Sequence, residues 1–183
     1  MTRIILSYGL ISGFVSILGI IATIVFPLGA AHSDVWLGYL IMLVGLSAVL
    51  VGVKQHRDQT LGGVIRFGPA LLLGLCIALA ATAVYVAVWE GYLALTGYRF
   101  MDQYVSQQLA SSRAAGITGA AYARAAAGLE AMRQQYANPL VRMLMTAGEI
   151  LPVGLVVAVA SAALLRNPRF LPARSRAVRA PAA

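Results

Sequence analysis

Charged residues are scarce in this chain. Asp, Glu, Lys and Arg make up only 11% of its 183 residues, whereas 60% are hydrophobic. A soluble domain carries about 25% charged residues. The deficit indicates that most of the protein's surface faces lipid, and it excludes a soluble domain of ordinary composition.

Cysteine is almost absent, since Cys76 is the single one. A single cysteine excludes an internal disulfide and any zinc or iron–sulfur site that needs several cysteines. Nucleotide-binding loops, nucleophile elbows and metalloprotease motifs are also missing. The sequence therefore predicts no cofactor, no metal and no enzymatic activity.

The net charge of +8 does not indicate a nucleic-acid partner. No RNA-binding signature or basic recognition helix occurs. The basic residues lie mainly beside the ends of long apolar runs, where anionic lipid headgroups attract them. Membrane lipids are thus the expected partners.

Four long apolar runs are the most informative feature that is present. They cover about residues 4–28, 35–53, 67–89 and 143–165. A helix needs about 20 apolar residues to cross the hydrocarbon core. The runs predict an all-α, four-helix membrane bundle, and the first run is longer than the apolar core of a signal peptide.

Basic residues beside the runs indicate the orientation of the bundle. Arg3, the loop between spans two and three, and the tail after span four would share one side of the membrane. Their nine basic residues are Arg3, Lys54, Arg57, Arg66, Arg166, Arg169, Arg174, Arg176 and Arg179. By the positive-inside rule both termini are expected in the cytoplasm.

The segment of about 94–139 is the only polar stretch of any size between spans. It predicts two short amphipathic helices, one over about 99–114 and one capped by Thr118 and ended by Asn138-Pro139. We expect a periplasmic helical hairpin. Residues 1–166 would form the membrane domain, and 167–183 a basic, disordered cytoplasmic tail.

Small residues at four-residue spacing favour close helix packing. Gly9 and Gly13 form such a pair in span one, and Gly74 and Gly154 belong to stripes in spans three and four. The stripes fit two alternatives, packing within the bundle or association with a second copy of the chain.

Two acidic residues lie in or near spans. A carboxylate costs about 3 kcal/mol at the centre of a spanning helix and somewhat less near the outer edge, where Glu149 is expected. Glu149 could pair with a loop arginine such as Arg99 or Arg142, or bind a cation or proton. Glu90 could share a polar pocket with it, or be an ordinary interfacial charge.

The loop between spans two and three contains Lys54, Arg57 and Asp58, followed by Gly62 and Gly63. Its His-Arg-Asp string is a spurious match to a kinase catalytic loop, because the other kinase signatures are absent. Asp58 is expected to pair with Arg57 or Arg66, or to cap the backbone of the Gly-Gly turn.

Several strings, in order along nearly the whole chain, resemble one family. They include Tyr8-Gly9-Leu10-Ile11-Ser12-Gly13, the segment Gly52 to Asp58 with Gly62-Gly63, Asn138-Pro139, and Gly154-Leu155-Val156. The chain resembles the bacterial membrane family called domain of unknown function 4199. The resemblance implies a small four-span protein of the bacterial inner membrane and carries no catalytic residues with it.

These observations favour a non-enzymatic accessory or scaffold protein that packs against another membrane protein or a second copy of itself. The alternative is a small proton- or cation-coupled carrier that uses Glu149 and Glu90.

Overall fold

The computed structural model describes residues 1–26 and 35–173, and every regular element in these ranges is a helix. The helices are α1 (Thr2–Val25), α2 (Val35–Thr60), α3 (Phe67–Leu95), α4 (Phe100–Ala114), α5 (Gly119–Tyr136) and α6 (Pro139–Leu165). Helices α1, α2, α3 and α6 are long and apolar enough to cross a membrane. The predicted all-α class with four spans is confirmed.

Three of the spanning helices are longer than their apolar runs. Helix α2 continues to Thr60, α3 continues to Leu95, and α6 already begins at Pro139. Helical hydrogen bonding does not stop where the sequence becomes polar, so an apolar run underestimates the helix. At the start of α6, Asn138 Oδ1 accepts hydrogen bonds from the N–H groups of Leu140 and Val141. Pro139 fits the first helical position, where no N–H is needed.

The chain forms two compact units. The first comprises Met1–Tyr85 together with the described residues from Ile150 onward, and the second is Val86–Glu149. The first unit therefore holds α1, α2, the first part of α3 and most of α6. The second holds the end of α3, the α4–α5 pair and the beginning of α6.

Glycines bring α1 and α3 into backbone contact within the first unit. A Cβ atom at Gly9 would lie 2.5 Å from the Ala80 Cβ, and one at Gly13 would lie 2.7 Å from the Val84 Cβ. Both distances are too short for real carbon atoms. The glycines are thus required for this approach, and the matching order of contacts makes the two helices parallel.

The small-residue stripes of α3 and α6 face each other in the same unit. A Cβ at Gly74 would lie 3.1 Å from the Ala158 Cβ, and a Cβ at Gly154 would lie 3.1 Å from the Ala78 Cβ. The reversed order makes these helices antiparallel. All four glycines singled out in the sequence thus lie in contacts between helices of one chain.

Helix α2 packs against both α1 and α6, so the four helices of the first unit form a closed ring. Helix α2 contacts α1 where Gly45 approaches the hydroxyl of Ser16, and it contacts α6 where Leu46 lies near Gly154. The order around the ring is therefore α1, α2, α6, α3. The interior is filled by Ile17, Leu46, Val49, Leu73 and Ile77, which are fully buried.

Large apolar side chains also cover the outside of the spanning helices. Leu6, Leu40, Val44, Leu72 and Val156 are all more than half exposed. An apolar exterior around helices that meet at glycine and alanine is the arrangement expected where lipid replaces water, because helices then associate by close packing.

In the second unit, α4 and α5 form an antiparallel hairpin. The predicted stripe of α4 is buried at Met101 and half-buried at Val105 and Leu109, and α5 presents a half-buried stripe from Tyr122 to Tyr136. Thr118 occupies the N-cap position of α5 as expected, but its hydroxyl makes no capping hydrogen bond. The expected capping contact is therefore wrong, although the helix boundary is right.

We expect Gly9→Ala to destabilise the bundle, because the new methyl group would overlap Ala80. Overpacking of this kind costs about 1–3 kcal/mol. Gly91→Ala, also in a spanning helix, is the matched control because a Cβ there meets no atom within 4 Å. Thermal unfolding in detergent, followed by circular dichroism, should show a lower Tm for Gly9→Ala alone. Equal Tm values for both variants would contradict the α1–α3 contact.

Candidate functional site

A buried ion pair lies at the end of α3 in the second unit. Arg142 Nε donates to Glu90 Oε1 at 2.7 Å, and Arg142 Nη2 donates to Glu90 Oε2 at 2.6 Å. Arg142 is only 6% exposed. Two parallel charge-assisted hydrogen bonds are the strongest form of this pairing, so the Glu90 carboxylate is fully engaged by one arginine.

Aromatic rings enclose the same arginine. Its Cζ lies 4.9 Å from the ring centroid of Tyr98 and 5.7 Å from that of Tyr136. Trp89 Nε1 donates to the Tyr136 hydroxyl at 2.8 Å. Burial raises the pKa of Tyr136, so its phenol remains neutral over a wider pH range. We call Trp89, Glu90, Tyr98, Tyr136 and Arg142 the Arg142 cluster.

Tyr98 reaches Arg142 through an unusual backbone conformation. Its φ is +56°, directly after Gly97 at +66°. The left-handed region costs a bulky residue about 1–3 kcal/mol and persists only where surrounding contacts hold it. Here the cation–π contact with Arg142 is one such contact, so the Arg142 cluster fixes the turn between α3 and α4.

The hairpin carries a second, exposed ionic network. Arg133 donates to both oxygens of Glu130, at 2.9 and 3.0 Å, and to Asp102 at 3.0 Å. These hydrogen bonds lower the pKa of Glu130 and raise that of Arg133. Water screens all three groups, so the network orients α4 against α5 more than it stabilises the fold.

Glu149 is placed differently from Glu90. It is exposed on α6, about 15 Å along the helix from Pro139. Within the described part of the chain, no side chain donates a hydrogen bond to it or forms an ion pair with it. The candidate partner Arg142 binds Glu90 instead. That candidate pairing of Glu149 is therefore wrong.

The structure describes two adjoining cavities in the second unit, of about 570 and 730 Å³. Neither is lined by Glu90 or Glu149. They lie instead around Arg99 and Gln103, at the start of α4. The suggestion that the two glutamates share a pocket thus gains no support from these cavities.

The predicted loop motif in the first unit is helical over most of its length. Lys54 and Asp58 pair one turn apart near the end of α2, and Arg57 Nε donates to Asp58 Oδ1 at 2.7 Å. Asp58 therefore pairs with Arg57, one of the partners expected for it, and also with Lys54.

The two glycines after this motif end α2. Gly62 and Gly63 have φ values of +67° and +94°, and the Gly63 N–H donates to the Arg57 carbonyl at 2.9 Å. This is a glycine-dependent helix end, in which left-handed residues satisfy the last free carbonyls. The Gly-Gly pair in the motif thus has a backbone role.

Arg57 has a further role that the sequence did not indicate. The side chain is fully buried and donates to the carbonyls of Leu165, Phe170 and Leu171. Arg57 therefore supplies a hydrogen-bond donor to the last carbonyl of α6, and it holds the segment that follows α6 through the carbonyls of Phe170 and Leu171. Residues 167–171 were expected to belong to a disordered tail, but they form an ordered turn here. Residues 174–183 lie outside the described part.

Three buried polar atoms have no hydrogen-bond partner among the described residues: Ser12 Oγ, Ser16 Oγ and His56 Nδ1. The serines lie one turn apart on α1, on the face that packs against other helices.

Sequence reasoning missed the Arg142 cluster and the cavities around Arg99. Both depend on the turn between α3 and α4, where two consecutive residues have different surroundings. The ring of Tyr98 contacts Arg142, whereas Arg99 lines the cavities. The available signal was the Gly97-Tyr98-Arg99 string at the end of a span, next to the aromatic residues Tyr92 and Phe100.

Glu90→Gln should destabilise the protein strongly, because it leaves the Arg142 guanidinium buried without a counter-charge. Breaking one side of a buried pair costs about 3–5 kcal/mol. Glu130→Gln is the matched control, since that carboxylate also binds an arginine through two hydrogen bonds but is exposed. Thermal unfolding should show a large loss for Glu90→Gln and little change for Glu130→Gln. Equal losses would contradict the assigned burial.

Comparison with known proteins agrees with the resemblance found in the sequence. No curated protein and no solved structure shows significant similarity to the chain. One family model matches residues 7–167, a range that includes all six helices except the first residues of α1. Because this match covers most of the chain, the protein belongs to the family described as "Protein of unknown function (DUF4199)".

Proposed function

We propose that the protein is a non-enzymatic accessory or scaffold protein of the membrane, which binds a helix of another membrane protein through the exposed surface of α6 around Glu149. The observation that carries the proposal is the exposed carboxylate of Glu149 on a helix long and apolar enough to span the membrane.

Glu149 is exceptional among the acidic residues. Of the five acidic residues in the described ranges, the other four bind basic side chains. They are Asp58, Glu90, Asp102 and Glu130. An unpaired carboxylate costs about 3 kcal/mol at the centre of a span and less towards its ends, and such residues commonly mark a functional contact.

The surroundings of Glu149 suit a helix of a partner. Leu144, Met145, Gly148 and Glu149 form one exposed surface of α6, which we call the α6 patch. A Cβ at Gly148 would meet nothing within 4 Å. An apolar surface with a glycine gap allows close backbone approach, as in other membrane helix contacts.

Charge complementarity favours a different protein over a second copy. The patch offers an acceptor at Glu149, and Pro152 has no N–H to donate to the carbonyl of Gly148 four residues earlier. A partner that supplies a basic or hydrogen-bond-donating side chain satisfies both groups. A second copy that met the patch symmetrically would set carboxylate against carboxylate.

The carrier alternative has weaker support. A carrier with paired carboxylates needs Glu90 free to exchange a proton or cation, whereas Arg142 engages both of its oxygens. Under the accessory proposal, Glu149→Gln leaves proton or cation flux in proteoliposomes unchanged. Loss of flux in that variant would favour the carrier.

We also propose that the protein lies in the bacterial inner membrane with both termini in the cytoplasm, because the short flanking segments carry most of the basic residues. In a Cys76→Ser background, Gln107→Cys on α4 should react with an impermeant maleimide in intact cells. Gln59→Cys at the end of α2 should react only after permeabilisation. The reverse pattern would overturn the orientation.

A photo-crosslinking amino acid at Leu144 should capture a defined protein partner in membranes. Leu144 is 64% exposed, and Leu79 on α3, 56% exposed, is the matched lipid-facing control. We expect one adduct band from position 144 and none from position 79. Glu149→Leu should reduce that adduct at least fivefold, because the donor of the partner loses its acceptor.

Two outcomes would contradict the proposal. Equal adducts from positions 144 and 79 would mean random collision in the membrane. An adduct with twice the mass of the chain, identified by mass spectrometry as this protein alone, would show that a second copy occupies the patch.

A further inference from the structure

The two cavities at the start of α4 adjoin and share Arg99 and Gln103. The remaining lining of the first is mixed, with the aromatic rings of Tyr92 and Phe100 beside Leu95 and Thr96. The second is lined also by Asp102, Ser106 and Gln107. We call the two together the groove; Tyr92, Leu95 and Phe100 lie at its α3 end, and Ser106 and Gln107 lie along α4.

Arg99 is the cation of this groove. The other arginines of the second unit all have contacts: Arg113 lies over Tyr122, Arg124 donates to Ala120, Arg133 binds Asp102 and Glu130, and Arg142 binds Glu90. Among the described residues no acceptor binds the Arg99 guanidinium. Asp102, also in the groove, accepts a hydrogen bond from Arg133 rather than from Arg99.

The backbone presents Arg99 to the groove. Tyr98 adopts a left-handed backbone conformation, and its ring packs against Arg142. Arg99 is the next residue and directly precedes α4. The buried Glu90–Arg142 pair holds this turn in place. The turn fixes the backbone of Arg99, so the guanidinium starts from a fixed point beside the groove, while its side chain, which has no partner among the described residues, remains available to an anion.

The groove lies at the end of a spanning helix. Leu95 is the last residue of α3 and is 91% exposed, directly beside the groove. At the end of a span the surroundings change from hydrocarbon to lipid headgroups. Tyr92 is the kind of side chain that concentrates at this level. In a membrane, Leu95 at this level would meet the lipid chains, and Arg99 would meet the headgroup phosphates.

We propose that this groove binds a glycerophospholipid of the surrounding membrane, with the headgroup phosphate on Arg99. The guanidinium offers paired N–H donors that match phosphate oxygens. Gln103, Ser106 and Gln107 provide hydrogen bonds for headgroup hydroxyls, while Leu95 and Tyr92 contact the glycerol and the upper acyl chain. The site is independent of the partner proposed for the α6 patch.

Native mass spectrometry of the full chain, delipidated in detergent and titrated with phosphatidylglycerol, tests this site. Arg99→Gln should weaken binding of the first lipid about tenfold. Arg124→Gln, which removes the same charge from an exposed position of the same hairpin, should leave it unchanged. Arg99→Lys should bind with intermediate affinity, because it keeps the charge but loses the paired donors.

Other results would overturn the assignment. Equal weakening by Arg99→Gln and Arg124→Gln would mean a general attraction of lipid to positive charge. Displacement of the bound lipid by inorganic phosphate at the lipid's own concentration would make free phosphate the occupant. Both variants should keep the Tm of the parent protein, and Arg99→Lys provides a second folded variant if Arg99→Gln does not.

Discussion

Burial of an arginine charge in apolar surroundings is the constraint on which each unit depends. A guanidinium that loses water must be paired and hydrogen-bonded, or its desolvation costs several kcal/mol. Arg57 in the first unit and Arg142 in the second are both almost completely buried. Each obtains its partners from segments far apart in the sequence, so the position of each arginine requires those segments to meet.

The two arginines meet this requirement in different ways. Arg142 takes most of its contacts from side chains, the Glu90 carboxylate and two tyrosine rings, and one from the Tyr136 carbonyl, and so ties together the ends of α3 and α5 and the first turns of α6. Arg57 shares Asp58 with Lys54 and takes its other contacts from backbone carbonyls at and beyond the end of α6. Because carbonyls belong to every residue, the second kind of contact leaves no mark in the sequence.

This difference explains how much could be predicted. The four spans follow from apolar length, and the hairpin follows from the stripes of α4 and α5, because both are local patterns with a known period. Gly9 and Gly13 could be recognised as packing residues, but the helix they meet could not, since spacing within α1 says nothing about α3. The pairing of Glu90 with Arg142 joins residues 52 positions apart. Sequence spacing could not choose between Glu90 and Glu149 for that arginine.

The pairing of Arg142 with Glu90 determines which carboxylate of the spanning helices remains without a partner among the described residues. Glu90 and Glu149 are both glutamates, and both lie in helices that can span a membrane. The start of α6 carries one arginine, Arg142, whose positive charge can balance only one of these carboxylates. Because Arg142 donates to both oxygens of Glu90 and to the Tyr136 carbonyl, the Glu149 carboxylate keeps acceptors that no described side chain satisfies. The packing energy of the fold does not offset that cost, because the side chain is exposed. A carboxylate that has no partner among the described residues of the bundle is the reason for which we propose a contact outside the chain, and an interaction protein rather than a carrier.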